Sequence, residues 1–102
     1  MEHLEFELKG GSGVRVSRES AIVGVVASGN LEVLVEKQDF SGACKFVINT
    51  SAKGFGAVWK AVLEDFLEKS PAQDLLFSIN DNAATPAVVS IRLLQAYEAI
   101  SG

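Results

Sequence analysis

The chain has 102 residues, 48% of them hydrophobic and 22% charged, with a formal net charge of −4 from 13 acidic and 9 basic side chains. That is enough for one domain over 1–102 with one core, and too little for two. The Lys and Arg residues are scattered and form no stripe able to neutralise phosphates, and the longest apolar run, Ala21 to Ala27, is far short of the roughly 20 residues of a membrane span, so neither nucleic acid nor a membrane is an expected partner.

The N-terminal Met1-Glu2-His3-Leu4-Glu5 is acidic and lacks the basic and apolar regions of a secretory signal. Together with a lone cysteine this gives the expectation of a cytoplasmic protein. Leu4, Phe6 and Leu8 alternate with charged neighbours, the period-two pattern of a half-buried strand. Lys9-Gly10-Gly11-Ser12-Gly13 breaks it as a turn or flexible loop, and Val14 to Ser17 form a short, weaker strand candidate. Ile22, Val23, Val25 and Val26 are apolar on both faces and predict a central strand covered on each side. Leu31, Val33 and Val35 alternate with Glu32 and Glu36, so the two runs joined by Ser28-Gly29-Asn30 read as a hairpin. Gly29 and Asn30 tolerate positive φ, which gives that turn its steric basis.

Ala43 to Thr50, rich in β-branched and aromatic residues, predicts a further strand. The period then changes. Phe55, Val58, Trp59, Val62, Leu63, Phe66 and Leu67 recur as one helical stripe, read as core, and Ser70-Pro71 ends the helix. Leu75 to Ile79 form a late strand, closed by the turn formers Asn80-Asp81-Asn82. Thr85-Pro86 opens a second helix, with Val89, Leu93, Ala96, Tyr97 and Ile100 as its stripe. The order strands, helix, strand, helix predicts an α+β fold: a mainly antiparallel sheet of about five strands with two helices packed on one face.

Few residues are candidates for chemistry. Cys44 shares a strand face with Phe46 and Ile48, which makes it a buried, inert thiol. His3 lies on a polar strand face near a terminus, and nothing in the pattern brings it to Cys44. No His, Cys and carboxylate cluster has metal spacing, and Asn80-Asp81-Asn82 lacks the glycine and the final glutamate of a calcium loop. Gly10-Gly11-Ser12-Gly13 is followed by no Lys-Ser/Thr pair, so it is no phosphate loop. No constellation for an autonomous enzyme is present. That leaves Ser28, a hydroxyl in the hairpin turn; most serines in such turns only bond their own backbone.

Val25-Val26-Ala27-Ser28-Gly29-Asn30-Leu31-Glu32-Val33-Leu34 resembles the modification segment of the malonate decarboxylase acyl carrier proteins, the delta subunit family. Asn80-Asp81-Asn82-Ala83-Ala84-Thr85-Pro86-Ala87-Val88-Val89, running into Arg92-Leu93, is similar to that family's C-terminal signature. The resemblance spans about Leu4 to Ile100. It implies that Ser28 carries a phosphodiester-linked 2′-(5″-phosphoribosyl)-3′-dephospho-CoA, attached by a prosthetic-group transferase, whose thiol holds acetyl and malonyl groups. It also implies partner subunits: an acyltransferase that exchanges acetyl for malonyl, and decarboxylase subunits that release CO₂ and restore the acetyl thioester. The chain itself is then a non-catalytic carrier. Ordinary acyl carrier proteins are excluded, because theirs is Asp-Ser-Leu at a helix start and not a serine between strands. A citrate lyase-type carrier subunit, with its own serine before glycine, and an unmodified α+β interaction module are the alternatives. A small thiol enzyme using Cys44 ranks behind both.

Overall fold

Residues 1–13, 16 and 18–101 are described in a computed structural model. Along them run β1 (Glu2–Lys9), β2 (Ser20–Gly24), β3 (Asn30–Lys37), β4 (Ala43–Thr50), α1 (Gly56–Lys69), β5 (Leu75–Asn82) and α2 (Pro86–Ser101). The strands form one five-stranded sheet in the order β1-β4-β5-β3-β2. β4 and β5 run parallel, joined through α1, and the other neighbours are antiparallel. The expected α+β fold and element order are therefore those observed.

Strand alternation sends Leu31, Val33 and Val35, Cys44, Phe46 and Ile48, and Leu75, Phe77 and Ile79 to one buried face. The helix stripes meet them there with Trp59, Leu63 and Phe66 from α1 and Val89, Leu93, Ala96 and Ile100 from α2. Phe46 and Phe77 stack at 4.8 Å across the parallel pair, and Phe66 descends from α1 edge-on to Phe77 at 5.5 Å. Such ring pairs add about 0.5–1.5 kcal/mol each to the burial itself. α1 ends where Ser70 turns extended, with φ −128° and ψ 135°, before Pro71. α2 begins at Pro86, with the Val88 N–H donating to Thr85 Oγ1 at 3.4 Å.

Four expectations need revision. β2 is an edge strand and not a central one: it ends at Gly24, and Val25 and Val26 lie in the following loop, 58% and 55% exposed. Asn80-Asp81-Asn82 do not close β5 but complete it, and Asp81 is buried, accepting the Thr50 hydroxyl at 2.8 Å and the Ala84 N–H at 3.1 Å. Phe55 is not core: it precedes the first turn of α1 and is half exposed. Gly10 to Gly13 are docked and not free, because Gly11 and Gly13 donate to the carbonyls of Ala72 at 2.7 Å and Pro71 at 3.1 Å. A Cβ on Gly11 would lie 2.7 Å from Pro71 Cα, so only glycine permits that approach. The strand expected over Val14 to Ser17 falls outside the described residues apart from Val16, which is buried.

The topology gives the sheet two unlike ends. β4 and β5 finish where β3 starts, so Thr50, Asn82 and Asn30 lie together, beside the starts of both helices. At the other end Asp74 ties the loops: its Oδ1 accepts the N–H groups of Phe40 at 2.9 Å and Gly42 at 2.8 Å, and its carbonyl accepts from Gln38 at 3.0 Å.

Candidate functional site: the Ser28 turn

β2 and β3 pair from Ser20↔Glu36 to Gly24↔Glu32, which leaves Val25 to Gly29 as the connecting loop. At its tip the Asn30 N–H donates to the Ala27 carbonyl at 2.9 Å, enclosing Ser28 and Gly29 as the central turn residues. Gly29 has φ +74°, the left-handed geometry that the third position of a type II turn requires. Two further ties hold the turn. The Gly29 N–H donates to the Asn82 carbonyl at 2.8 Å, fixing the tip to the end of β5. Asn30 Oδ1 accepts the Leu31 N–H at 2.8 Å and Arg92 Nε–H at 3.2 Å, linking the tip to α2. Arg92 also donates to Gln95 Oε1 at 3.0 Å, which holds the guanidinium along the helix.

Ser28 itself is exposed, and among the described residues its hydroxyl has no hydrogen-bond partner. A Cβ on the adjoining Gly29 would meet nothing within 4 Å, so open space surrounds the tip. The backbone is therefore anchored while the side chain is left unused. That combination suits a tethering point: the oxygen can be approached by a large enzyme, and whatever is attached stands on a fixed support. It also disposes of the ordinary role of a turn serine, which is to bond its own backbone.

The other candidates stay apart from this turn and from one another. Cys44 is fully buried on β4, and burial pushes its thiol up to about 11, which makes it a poor nucleophile. His3 is exposed, with its ring nitrogens 2.8 Å from Asn49 Oδ1 and 2.8 Å from Glu5 Oε2; hydrogen bonding to Asn49 and then Glu5 raises its pKa. His3 pairs with Asn49 and Leu8 with Cys44, so the imidazole and the thiol occupy opposite ends of the β1–β4 ladder. No group of His, Cys, Asp and Glu among the described residues could hold a metal. No described helix is long and apolar enough to cross a membrane.

Sequence reasoning did not find two features beside the turn. Arg92 reaches Asn30 across 62 positions of sequence, a contact without a local signal. A groove of about 380 Å³ opens between the starts of α1 and α2, lined mainly by apolar groups including Phe55, Val58, Trp59, Ala84, Pro86 and Val89. Reading the Phe55 stripe as core concealed it.

Comparison with known proteins places this geometry. Residues 18–100 match the family described as malonate decarboxylase delta subunit (MdcD). The malonate decarboxylase acyl carrier protein of Xanthomonas euvesicatoria pv. vesicatoria (strain 85-10) is 55% identical over 102 residues, covering 100% of this chain and 97% of its own length. That of Bradyrhizobium diazoefficiens is 50% identical over 101 residues, covering 99% and 96%. Among solved structures, a chain in the crystal structure of a Pseudomonas malonate decarboxylase hetero-tetramer in complex with malonate superposes with a TM-score of 0.85 at 38% identity, covering 98% of this chain and 99% of that one. The chain belongs to the malonate decarboxylase delta subunit family and is an acyl carrier subunit, not a catalyst in its own right.

Proposed function

We propose that Ser28 is the covalent attachment point of a 2′-(5″-phosphoribosyl)-3′-dephospho-CoA arm, joined through a phosphodiester to its Oγ, and that the chain presents acetyl and malonyl thioesters on this arm to partner subunits. The observation that carries the reading is the exposed hydroxyl of Ser28, without a hydrogen-bond partner among the described residues, on a turn tied to both β5 and α2. The space around Gly29 fits the bulk of such a group. Arg92, held to Asn30 two residues from the attachment point, supplies a nearby positive charge suited to the phosphodiester.

The arm, when attached, supplies a thiol whose thioester activates an acyl group toward transfer and toward loss of CO₂. This chain's residues do something else: they hold the tether clear of the core and raise the local concentration of the acyl group at each partner site to the order of millimolar. An acyltransferase and decarboxylase subunits carry out the bond-making, a prosthetic-group transferase loads Ser28, and the cycle serves malonate breakdown in the cytoplasm. The hetero-tetramer that holds the structural neighbour supports partners of this kind.

The test is the intact mass of the protein produced with and without the modifying transferase. A gain equal to the phosphoribosyl-dephospho-CoA group, absent from Ser28→Ala, is the expected result. The same gain in Ser28→Ala would reject the site, and no gain under any loading condition would favour an unmodified interaction module.

A further inference from the structure

The groove between the starts of α1 and α2 has no part in the attachment chemistry, yet it lies at the sheet end that carries Ser28. The Gly29 N–H meets the Asn82 carbonyl at 2.8 Å, and the next residues, Ala83 and Ala84, form the groove's rim. Standard backbone dimensions then put Ser28 Cα within about 8 Å of that rim. Phe55 and Val58 stand 50% and 43% exposed at its mouth, apolar surface left uncovered by the core. At its floor the polar groups are engaged with one another: Asp81 accepts from Thr50 and from the Ala84 N–H. The groove thus offers an apolar lining and few free polar partners, at a volume of about 380 Å³ that falls in the range of small-molecule sites.

We infer that this groove is a resting dock for the acylated end of the arm, taking the neutral acetyl thioester and the cysteamine segment that bears it; the inference rests on the attachment to Ser28 proposed above. The occupant is argued from the tether. The arm is anchored at Ser28, whose Cα lies within about 8 Å of the rim, and its flexible length lets the distal thioester fold back to the groove. A group tethered in this way is present there at an effective concentration on the order of millimolar, so even millimolar affinity leaves the groove occupied about half the time. Docking shields the thioester from water between visits to partner subunits, and affinity this weak lets a partner active site draw the arm away.

The experiment uses the isolated carrier, loaded at Ser28 and acetylated on the arm with ¹³C-labelled acetyl. Two readouts apply: the rate at which hydroxylamine cleaves the thioester, against acetyl-CoA under the same conditions, and nuclear Overhauser contacts from the labelled methyl to Trp59 and Val58. The expected result is cleavage slower than that of acetyl-CoA by the inverse of the undocked fraction, about twofold for an arm docked half the time, with contacts to both side chains. Val58→Arg at the exposed mouth, and Ala52→Phe filling the groove without charge, are each expected to restore the acetyl-CoA rate and remove the contacts. Equal rates and no contacts in the wild-type carrier would overturn the dock while leaving the Ser28 adduct, read by mass, in place; protection that persists in both variants would also overturn it. Failure to form the adduct at all would overturn the attachment and the dock with it.

Discussion

The two ends of the sheet are built on different plans. At the Asp74 end, loops are tied inward: one carboxylate oxygen takes two backbone N–H groups, and Gly11 and Gly13 lie against the Pro71-Ala72 backbone. At the Ser28 end the backbone is anchored too, but several side chains face solvent. Among the described residues the Ser28 hydroxyl has no hydrogen-bond partner, and Val25, Val26, Phe55 and Val58 are all exposed. Rigidity and availability are thus separated: main-chain bonds and the Arg92–Asn30 contact hold the tip in place, while the Ser28 side chain stays exposed. At the Asp74 end a side chain itself does the anchoring, with Asp74 Oδ1 closing the loop at Phe40 and Gly42.

Substitutions sharpen this contrast. Asp74→Ala strips the acceptor from Phe40 and Gly42, leaving N–H groups without partners, and is expected to cost about 2–4 kcal/mol, a fall in Tm on the order of 10 °C by calorimetry. Loading of Ser28 should persist in the fraction that folds; loss of loading without loss of stability would break the division between the ends. Gly29→Val, at φ +74°, meets no steric neighbour and so is strained by backbone geometry alone, at about 1–2 kcal/mol. Denaturant unfolding checks the magnitude, and slower loading checks the turn; unchanged behaviour in both would refute the geometry. Ser28→Ala is expected to change stability by less than about 0.5 kcal/mol while abolishing loading, the reverse of the Asp74 result.

Smaller effects follow from titration. The Cys44 thiol, pushed up to about 11 by burial, binds its proton longer in the folded chain than in the unfolded one. Stability is therefore unaffected below about pH 8.5 and declines as pH rises toward 11. Alkylation at pH 8 should be slow in the native protein and fast in denaturant; rapid native labelling would revive the thiol enzyme. The exposed His3–Glu5 pair is the smallest case. The raised His3 pKa favours the folded state below the unfolded histidine value and loses that effect as pH rises through the folded one; the lowered Glu5 pKa works in the opposite sense at the acidic side. An NMR titration placing His3 below the ordinary histidine range would contradict the hydrogen bonds to Asn49 and Glu5.

Much of this architecture is legible in the sequence because period and punctuation act locally. Leu4, Phe6 and Leu8 announce a half-buried strand, Thr85-Pro86 announces a helix start, and Ser28-Gly29-Asn30 announces the turn. What escapes is decided by strand order, which no local pattern encodes. Ile22 to Val26 read as a covered strand because apolar β-branched residues look alike at the centre and the edge of a sheet. Asp81 read as turn chemistry because its partner, Thr50, lies 31 positions away on a parallel strand. Phe55 sits in the helical period yet falls just before the helix begins, where the stripe no longer faces the core. The anchoring of the Ser28 tip by Asn82 and Arg92 is likewise a product of the fold alone.

Malonate-dependent CO₂ release by the reconstituted complex puts the division of labour to the test. With wild-type partner subunits and the transferase present, the wild-type chain is predicted to support turnover. Ser28→Ala is predicted to give none, although folded and assembled, until wild-type carrier is added back. Release of CO₂ at the wild-type rate by the Ser28→Ala complex would show that the acyl group travels by some route other than this serine.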